Sequence, residues 1–326
     1  MKISKPKYIF LLPFILLNNL LYSQEDVKPF TKELIIISEN DNYNMVIKDR
    51  YYTNGFFIRY NWADKKQAAM DSEKTLSRME LGQMIFNPFF NSYSLDEVLK
   101  TMDRPYAGWL YASYGKTKFY RNKAIFLYDG ILGIVGPAAL GKEIQSITHH
   151  LFKNDKLYGW EYQVKNEIGV NVSAQYYHSI TNQKQSPHFT MHAMGKATLG
   201  NTFTNATVGL LLKAGRMEEE KNSAFWGGRL SNTAVKSKNK NEIFAFLEPG
   251  LLLQGYNATV QGGLFRTDKG LYTTTLNSIN YIVKTGVFIS GKRNSVSAIY
   301  TLKQRETKSM IDKNEFYGLF AISHRF

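Results

Sequence analysis

The stretch QVKNEIGVNVSAQYY, Gln163 to Tyr177, sorts its residues by parity. Val164, Ile168, Val170, Val172, Ala174 and Tyr176 share one parity; Gln163, Lys165, Glu167, Asn171, Ser173 and Gln175 share the other. A period of two over more than ten residues marks a strand with one apolar and one polar face. HFTMHAMGKATLG (His188–Gly200) and SVSAIYTLKQR (Ser295–Arg305) repeat it. The chain also ends on it: EFYGLFAISHRF puts Phe316, Phe320, Ile322 and the terminal Phe326 on one parity. Soluble sandwiches use strands of about 5–6 residues, whereas a strand crossing a membrane needs about 9–11.

Such runs fall at 31–39, 52–62, 76–87, 106–118, 122–135, 160–178, 187–200, 203–213, 242–255, 276–290, 293–306 and 315–326. They make an even number of strands, as single-chain bacterial barrels have. The stretch YNATVQGGLFRT, 256–267, is assigned to a loop on the same ground. Lipid offers no water to unpaired backbone groups, so the sheet has to close. The expected fold is all-β, a single antiparallel transmembrane β-barrel of about twelve strands in the bacterial outer membrane.

The first residues agree with export. Lys2, Lys5 and Lys7 precede an apolar run from Tyr8 to Leu21 that Asn18 and Asn19 interrupt, and small Ser23 follows. That pattern reads as a signal peptide over 1–23 and a barrel domain over 24–326. No other run is apolar enough for a membrane helix. The chain has no cysteine, which excludes thiolate metal sites, cysteine nucleophiles and disulfides. Its formal net charge of +14 favours anionic partners. In an exported chain that points to an anionic membrane surface and away from nucleic acid.

With the N terminus periplasmic, 40–51, 88–105, 136–159 and 256–275 become external connections. In 136–159, Leu140, Ile144, Ile147 and Leu151 recur at helical spacing behind Pro137, which predicts a short amphipathic helix on an outer loop. Gln145 and His149, four apart, share a face, although spacing alone does not choose between His149 and His150. Tyr106 and Trp109, where the fourth strand enters the membrane, are expected in the interfacial aromatic girdle. Asn40 and Asp41 close the first strand in a segment that reads as a turn.

These landmarks resemble the lipid A 3'-O-deacylase family of outer-membrane barrels. The resemblance rests on Asn40-Asp41, YYTNG (Tyr51–Gly55), DRPYAGWLY (Asp103–Tyr111), GIVGPAALGKEIQSITHHLF (Gly133–Phe152) with GWEYQVKNEIGVN (Gly159–Asn171), and YNATVQGGLF (Tyr256–Phe265). It implies removal of the 3'-linked acyloxyacyl group from the lipid A of lipopolysaccharide, with Ca2+ as cofactor, on the external face. It also implies His149 as the catalytic histidine, with Thr53, Asn40 and Gln145 beside it and Asp41 and Asp155 as calcium ligands. One departure stands out: the Lys-Arg pair that some members carry in the second external loop is replaced by Asn91-Ser92-Tyr93, with Lys100 and Arg104 the nearest basic residues.

Read chemically, His149 is suited to take a proton from water because an imidazole titrates near neutrality. Calcium takes hard oxygen ligands and can stabilise an oxyanion. Thr53 or Asn40 can donate to that oxyanion, and Gln145 can orient the imidazole. Ser146 near His149 is a rival nucleophile without a G-x-S-x-G context. Lys142 and Lys153 are expected to meet lipid A phosphates. A monomer is expected. The competing readings are an outer-membrane phospholipase and a non-enzymatic porin or adhesin.

Overall fold

The computed structural model describes residues 29–44, 50–65, 72–89, 94–152, 157–181, 186–233 and 241–326. Twelve antiparallel strands close into one barrel. They are β1 (Lys32–Asn40), β2 (Tyr51–Ala63), β3 (Ser72–Asn87), β4 (Ala107–Tyr120), β5 (Ala124–Val135) and β6 (Glu167–Ser179). The second half comprises β7 (Phe189–Gly200), β8 (Phe203–Arg216), β9 (Glu242–Asn257), β10 (Ile279–Ser290), β11 (Asn294–Gln304) and β12 (Asn314–Arg325). β1 and β12 shut the sheet, in register from Glu33 opposite Arg325 to Asn40 opposite Gly318. The terminal Phe326 joins the seam, its amide donating to Lys32 O at 3.0 Å. Among the described residues no helix is long and apolar enough to cross a membrane; the strands do the crossing.

The two parities of the sequence become two faces. On β6, Ile168, Val170, Val172 and Tyr176 are exposed on the outer surface while Asn171 and Tyr177 are buried on the lumen side. On β12, Phe316, Phe320 and Ile322 face out and Glu315 and Arg325 face in. The ring contacts Tyr60–Trp62, Trp62–Tyr114 and Tyr60–Phe326 form an aromatic girdle at the end that carries both termini.

Two expectations need correction. The strand expected from 160 begins at Glu167, and before it the chain makes a 3-10 turn at Trp160–Tyr162, entered through Gly159 at φ 105°. Val164 is consequently a buried loop residue, not part of the lipid face. Tyr106 and Trp109 are not girdle residues, for both are buried. Trp109 points into the lumen, stacked on Tyr111 and edge-on to Phe203. Tyr106 lies against Trp160 and donates from its hydroxyl to Tyr158 O at 2.5 Å. Lumen and interface both favour aromatics, so residue type alone misplaced them.

The end where Phe30 and Phe326 lie is filled by residues 217–230 of the β8–β9 connection, which fold back into the lumen. Leu230 bridges to Phe30 there. Phe225 lies edge-on to Phe244, Phe246 and Phe288, and Trp226 to Tyr177. The resulting core uses lumen residues from β3 to β10, among them Leu76, Phe119, Ile125, Met194 and Leu211. Ions fix this plug. Glu242, fully buried, accepts from Ser223 Oγ and Ala224 N, both at 2.7 Å, and Arg229 lies 3.3 Å away.

Glu220 is gripped by Lys213 Nζ at 2.8 Å to both oxygens and by His192 Nε2 at 3.0 Å. Burial alone raises its pKa, but the Lys213 charge and the His192 bond hold it at about 2. A carboxylate held below its ordinary 4.5 stabilises the fold above that value and loses the contribution as pH falls through about 2. Pepsin cleavage near Phe225, normalised to an unfolded control, is therefore expected to rise as pH drops across that window. Glu220→Gln should remove the pH step; cleavage that stays flat in the wild type counts against it.

Candidate active site

The end opposite the plug is organised by Asp103 and Arg104. Asp103 accepts from Tyr51 OH and Phe89 N, each at 2.8 Å, and from Ile311 N at 3.0 Å. It thereby ties the start of β2 to the connections that follow β3 and β11. Arg104, fully buried, bonds Thr259 Oγ1 at 2.8 Å and Glu306 at 3.2 Å, and its guanidinium lies 4.3 Å over the Phe86 ring. Lys303 completes the cluster at 2.7 Å from Glu306 and 3.3 Å from Glu315. Burial works to raise the Glu306 pKa, yet Lys303 and Arg104 hold it at about 2. Arg104 is thus committed inside the protein, although it had stood in the sequence as one of two basic residues nearest the missing Lys-Arg pair. Asn91, Ser92 and Tyr93 lie outside the described residues.

Two helices flank this hub. α1 (Leu95–Thr101) was not anticipated, although its signal is present: Glu97 accepts from the amide and hydroxyl of Ser94, the capping pattern S-x-x-E. The expected outer-loop helix is a 3-10 turn at Pro137–Ala139 followed by α2 (Gly141–Phe152). α2 lies against the outer wall of the barrel, over β3 and β4. Strand alternation shows why. Met84 and Phe86 line the lumen, so Gln83, Ile85 and Asn87 point outward. All three are nevertheless buried, and Gln83 Nε2 donates to Ala139 O at 2.5 Å.

Gly108 makes the close approach possible. A Cβ there would meet Ala139 Cβ at 3.1 Å and Gly141 N at 3.2 Å. Gly141 is equally constrained, by the Trp160 ring at 2.8 Å from its missing Cβ. Gly108→Val is expected to lift α2 from the wall while the barrel still closes. A shift of roughly 1 Å in a catalytic group can cost on the order of 10²-fold in rate. Any reaction carried by the wall face of α2 should slow on that scale, with Gly108→Ala intermediate; an unchanged rate in Gly108→Val would remove the wall contact from the account.

The helix presents Gln145, 1 % exposed, and His149, 7 % exposed, toward the wall, and turns His150 and Ser146 outward. Burial thus separates the two histidines that spacing had left open. Gln145 Oε1 accepts from Trp160 Nε1 at 3.0 Å, and its Nε2 has no hydrogen-bond partner among the described residues. Both amide atoms of Asn87, fully buried on β3, are likewise without partners. A buried polar group left unmatched costs about 1–3 kcal/mol, so such groups call for a functional explanation.

Thr53 sits at the β-bulge between Tyr52 and Asn54 and is fully buried. Its hydroxyl donates to Ile85 O of β3 at 3.2 Å, which places it one strand from the wall under α2. Asn40 Nδ2 donates to Asn54 Oδ1 at 2.5 Å and its Oδ1 accepts from Asn42 N at 2.6 Å, so the segment is also the turn it resembles. The Thr53 hydroxyl and one of the two Asn40 amide hydrogens are therefore already engaged. Asp41 is buried and accepts from Arg50 N at 3.0 Å. Lys142 is exposed and lies 3.5 Å from Glu161. Lys153 and Asp155 fall outside the described residues.

The expected calcium can be tested against these donors. Carboxylate and amide oxygens at Asp41, Asn40 and Asn54, with no cysteine thiolate in the chain to compete, suit a hard cation. Among the described residues no three acidic or histidine side chains come together to hold a metal. The described part of the site thus supplies one carboxylate, Asp41. A cavity of about 650 Å³ among the described residues is elsewhere: it lies in the lumen, between Phe225 of the plug and Asn257 and Glu306 at the other end. None of the described candidate site residues lines it.

A profile of the family described as outer membrane protein LpxR matches residues 9–326. No curated protein sequence matches the chain. Among solved structures, LpxR from Salmonella typhimurium superposes with a TM-score of 0.71 at 18% identity, covering 90% of this chain and 100% of that one. The β domain of the Bordetella autotransporter BrkA gives a TM-score of 0.44 at 9% identity, covering 92% of this chain and 99% of that one. The chain belongs to the LpxR family, the lipid A 3'-O-deacylase family its motifs resemble, and is an outer-membrane barrel of the lipid A-modifying class.

Proposed function

We propose that the protein is a hydrolase that removes the 3'-linked acyloxyacyl group from lipid A of lipopolysaccharide, on the external side of the outer membrane. The observation that carries this reading is the buried polar face of α2, Gln145 with His149, set against an outward-facing wall where lipid would otherwise demand apolar residues. With the N terminus periplasmic, that wall stands at the outer leaflet, where lipid A resides.

In this mechanism His149 takes a proton from the attacking water as the ester carbonyl becomes tetrahedral, then returns it to the leaving alcohol. Gln145, its carbonyl fixed by Trp160, offers its free amide hydrogens to the developing oxyanion. The Thr53 hydroxyl is engaged with Ile85 O and one Asn40 amide hydrogen with Asn54, so the role falls first to Gln145, with the second Asn40 hydrogen beside it. Asp41 and Asp155 would hold calcium, which would supply positive charge where the oxyanion develops. Lys142 and Lys153 meet lipid A phosphates. Water attacks directly, since Ser146 is exposed on another side of the helix. The lumen filled from β3 to β10 weighs against a porin.

The test is mass spectrometry of lipid A from a host expressing the protein, with and without chelator. Loss of one 3'-acyloxyacyl unit, suppressed by the chelator and restored by added calcium, is the expected result. Unchanged lipid A with accumulating lysophospholipid would favour a phospholipase, and no lipid change in calcium-replete cells would sink the enzymatic reading.

A further inference from the structure

The surface of α2 divides into three sectors, and only one of them faces the wall. Gly141, Gln145 and His149 make the buried sector. Ile144 and Ile147, with Leu140 just before the helix, make a second, with 42%, 60% and 48% of each residue exposed. Lys142, Ser146 and His150, also exposed, make the third. At 100° per residue the three sectors lie roughly a third of a turn apart. In a helix on a water-bathed surface, the apolar stripe is the side that packs against the protein. Here the polar face packs and the apolar stripe is left open.

The stripe continues a surface that already faces lipid. α2 follows β5 through the short turn at Pro137–Ala139, whose Ala138 N bonds Asn166 Oδ1 just before β6. At the tops of those strands Ile134 and Ile168 are register partners on the outward face, and Leu132 and Ile168 are 60% and 66% exposed. The apolar sector therefore begins where the lipid-facing belt of β5 and β6 ends.

We propose that α2 lies in the plane of the membrane leaflet, with Leu140, Ile144 and Ile147 immersed among lipid acyl chains and Lys142, Ser146 and His150 in water. The helix is then an interfacial anchor whose third side closes on the barrel wall. The immersion itself depends on the barrel standing in a membrane and not on the hydrolytic reading.

The absence of cysteine makes the test direct. Single variants Ile144→Cys, Ile147→Cys and Ser146→Cys, with Leu132→Cys as the strand reference, are labelled with a nitroxide. The barrel is placed in vesicles of phosphatidylethanolamine and phosphatidylglycerol, and relaxation by oxygen is compared with relaxation by a water-soluble nickel chelate. Positions 144 and 147 are expected to match 132, favouring oxygen, and 146 to favour nickel, a reversal of sign within one helical turn. Nickel access at 144 and 147 equal to that at 146 would overturn the proposal by placing the stripe in water. Shielding of 144 and 147 from both reagents would overturn it too, by showing a protein partner over the stripe. Leu140→Cys serves in place of either stripe variant if one fails to insert.

Discussion

Replacing His149 with glutamine is expected to leave a folded barrel and to lower deacylation by about 10²–10⁴-fold, the range of a lost general base. Glutamine keeps the volume and hydrogen-bonding capacity of the side chain but cannot hold the proton taken from water. The variant should run as a heat-modifiable barrel like the wild type, because the lumen core and the β1–β12 seam are remote from α2. His150→Gln is the matching control, since that side chain is exposed on the water-facing sector. Measured on one lipid A preparation by release of the 3'-acyloxyacyl unit, His149→Gln should be nearly silent and His150→Gln close to wild type. Equal losses at both positions would mean that the helix, and not the imidazole, is what matters.

The strands were legible because a barrel strand records its two environments directly: every second residue meets lipid and every other one the lumen. That is why Val170, Val172 and Phe320 could be placed from parity alone. The plug was not legible, since residues 217–230 carry no period and their aromatics answer to a filled lumen that no local pattern announces. The Asp103–Arg104 hub escaped for a different reason. Its partners Glu306 and Ile311 are more than two hundred residues away, so the motif could be seen but not its work. The stripe on α2 was legible as a stripe and its direction was not: a period of 3.6 gives an apolar face, and only the surroundings say whether it packs inward or meets lipid. The family resemblance chose His149 over His150, and in the structure His149 is buried while His150 is exposed.

Arg104→Ala should do the second-largest damage, and at a distance from the chemistry. Removing the guanidinium leaves Glu306 and Glu315 to share the single cation Lys303 in a buried cluster. Breaking a buried pair from one side typically costs about 3–5 kcal/mol, because the orphaned charge stays desolvated. The loss also takes away the bond to Thr259 and the contact over Phe86. Tyr106, two residues on, packs on Trp160, and Trp160 holds the Gln145 carbonyl, so loosening at Arg104 reaches the wall face of α2. Protease cleavage in the loop-end connections should rise and lipid A deacylation fall together, while the plugged end of the barrel remains intact. Arg104→Lys keeps the charge without the fork and should recover only part of the loss. The double variant Arg104→Met with Glu306→Leu removes both charges, and should restore protease resistance more than Arg104→Ala alone. Lys100→Ala, on the exposed side of α1, calibrates a plain loss of positive charge at this end. If Arg104→Ala proves no worse than Lys100→Ala in either measurement, the hub does not hold the site together.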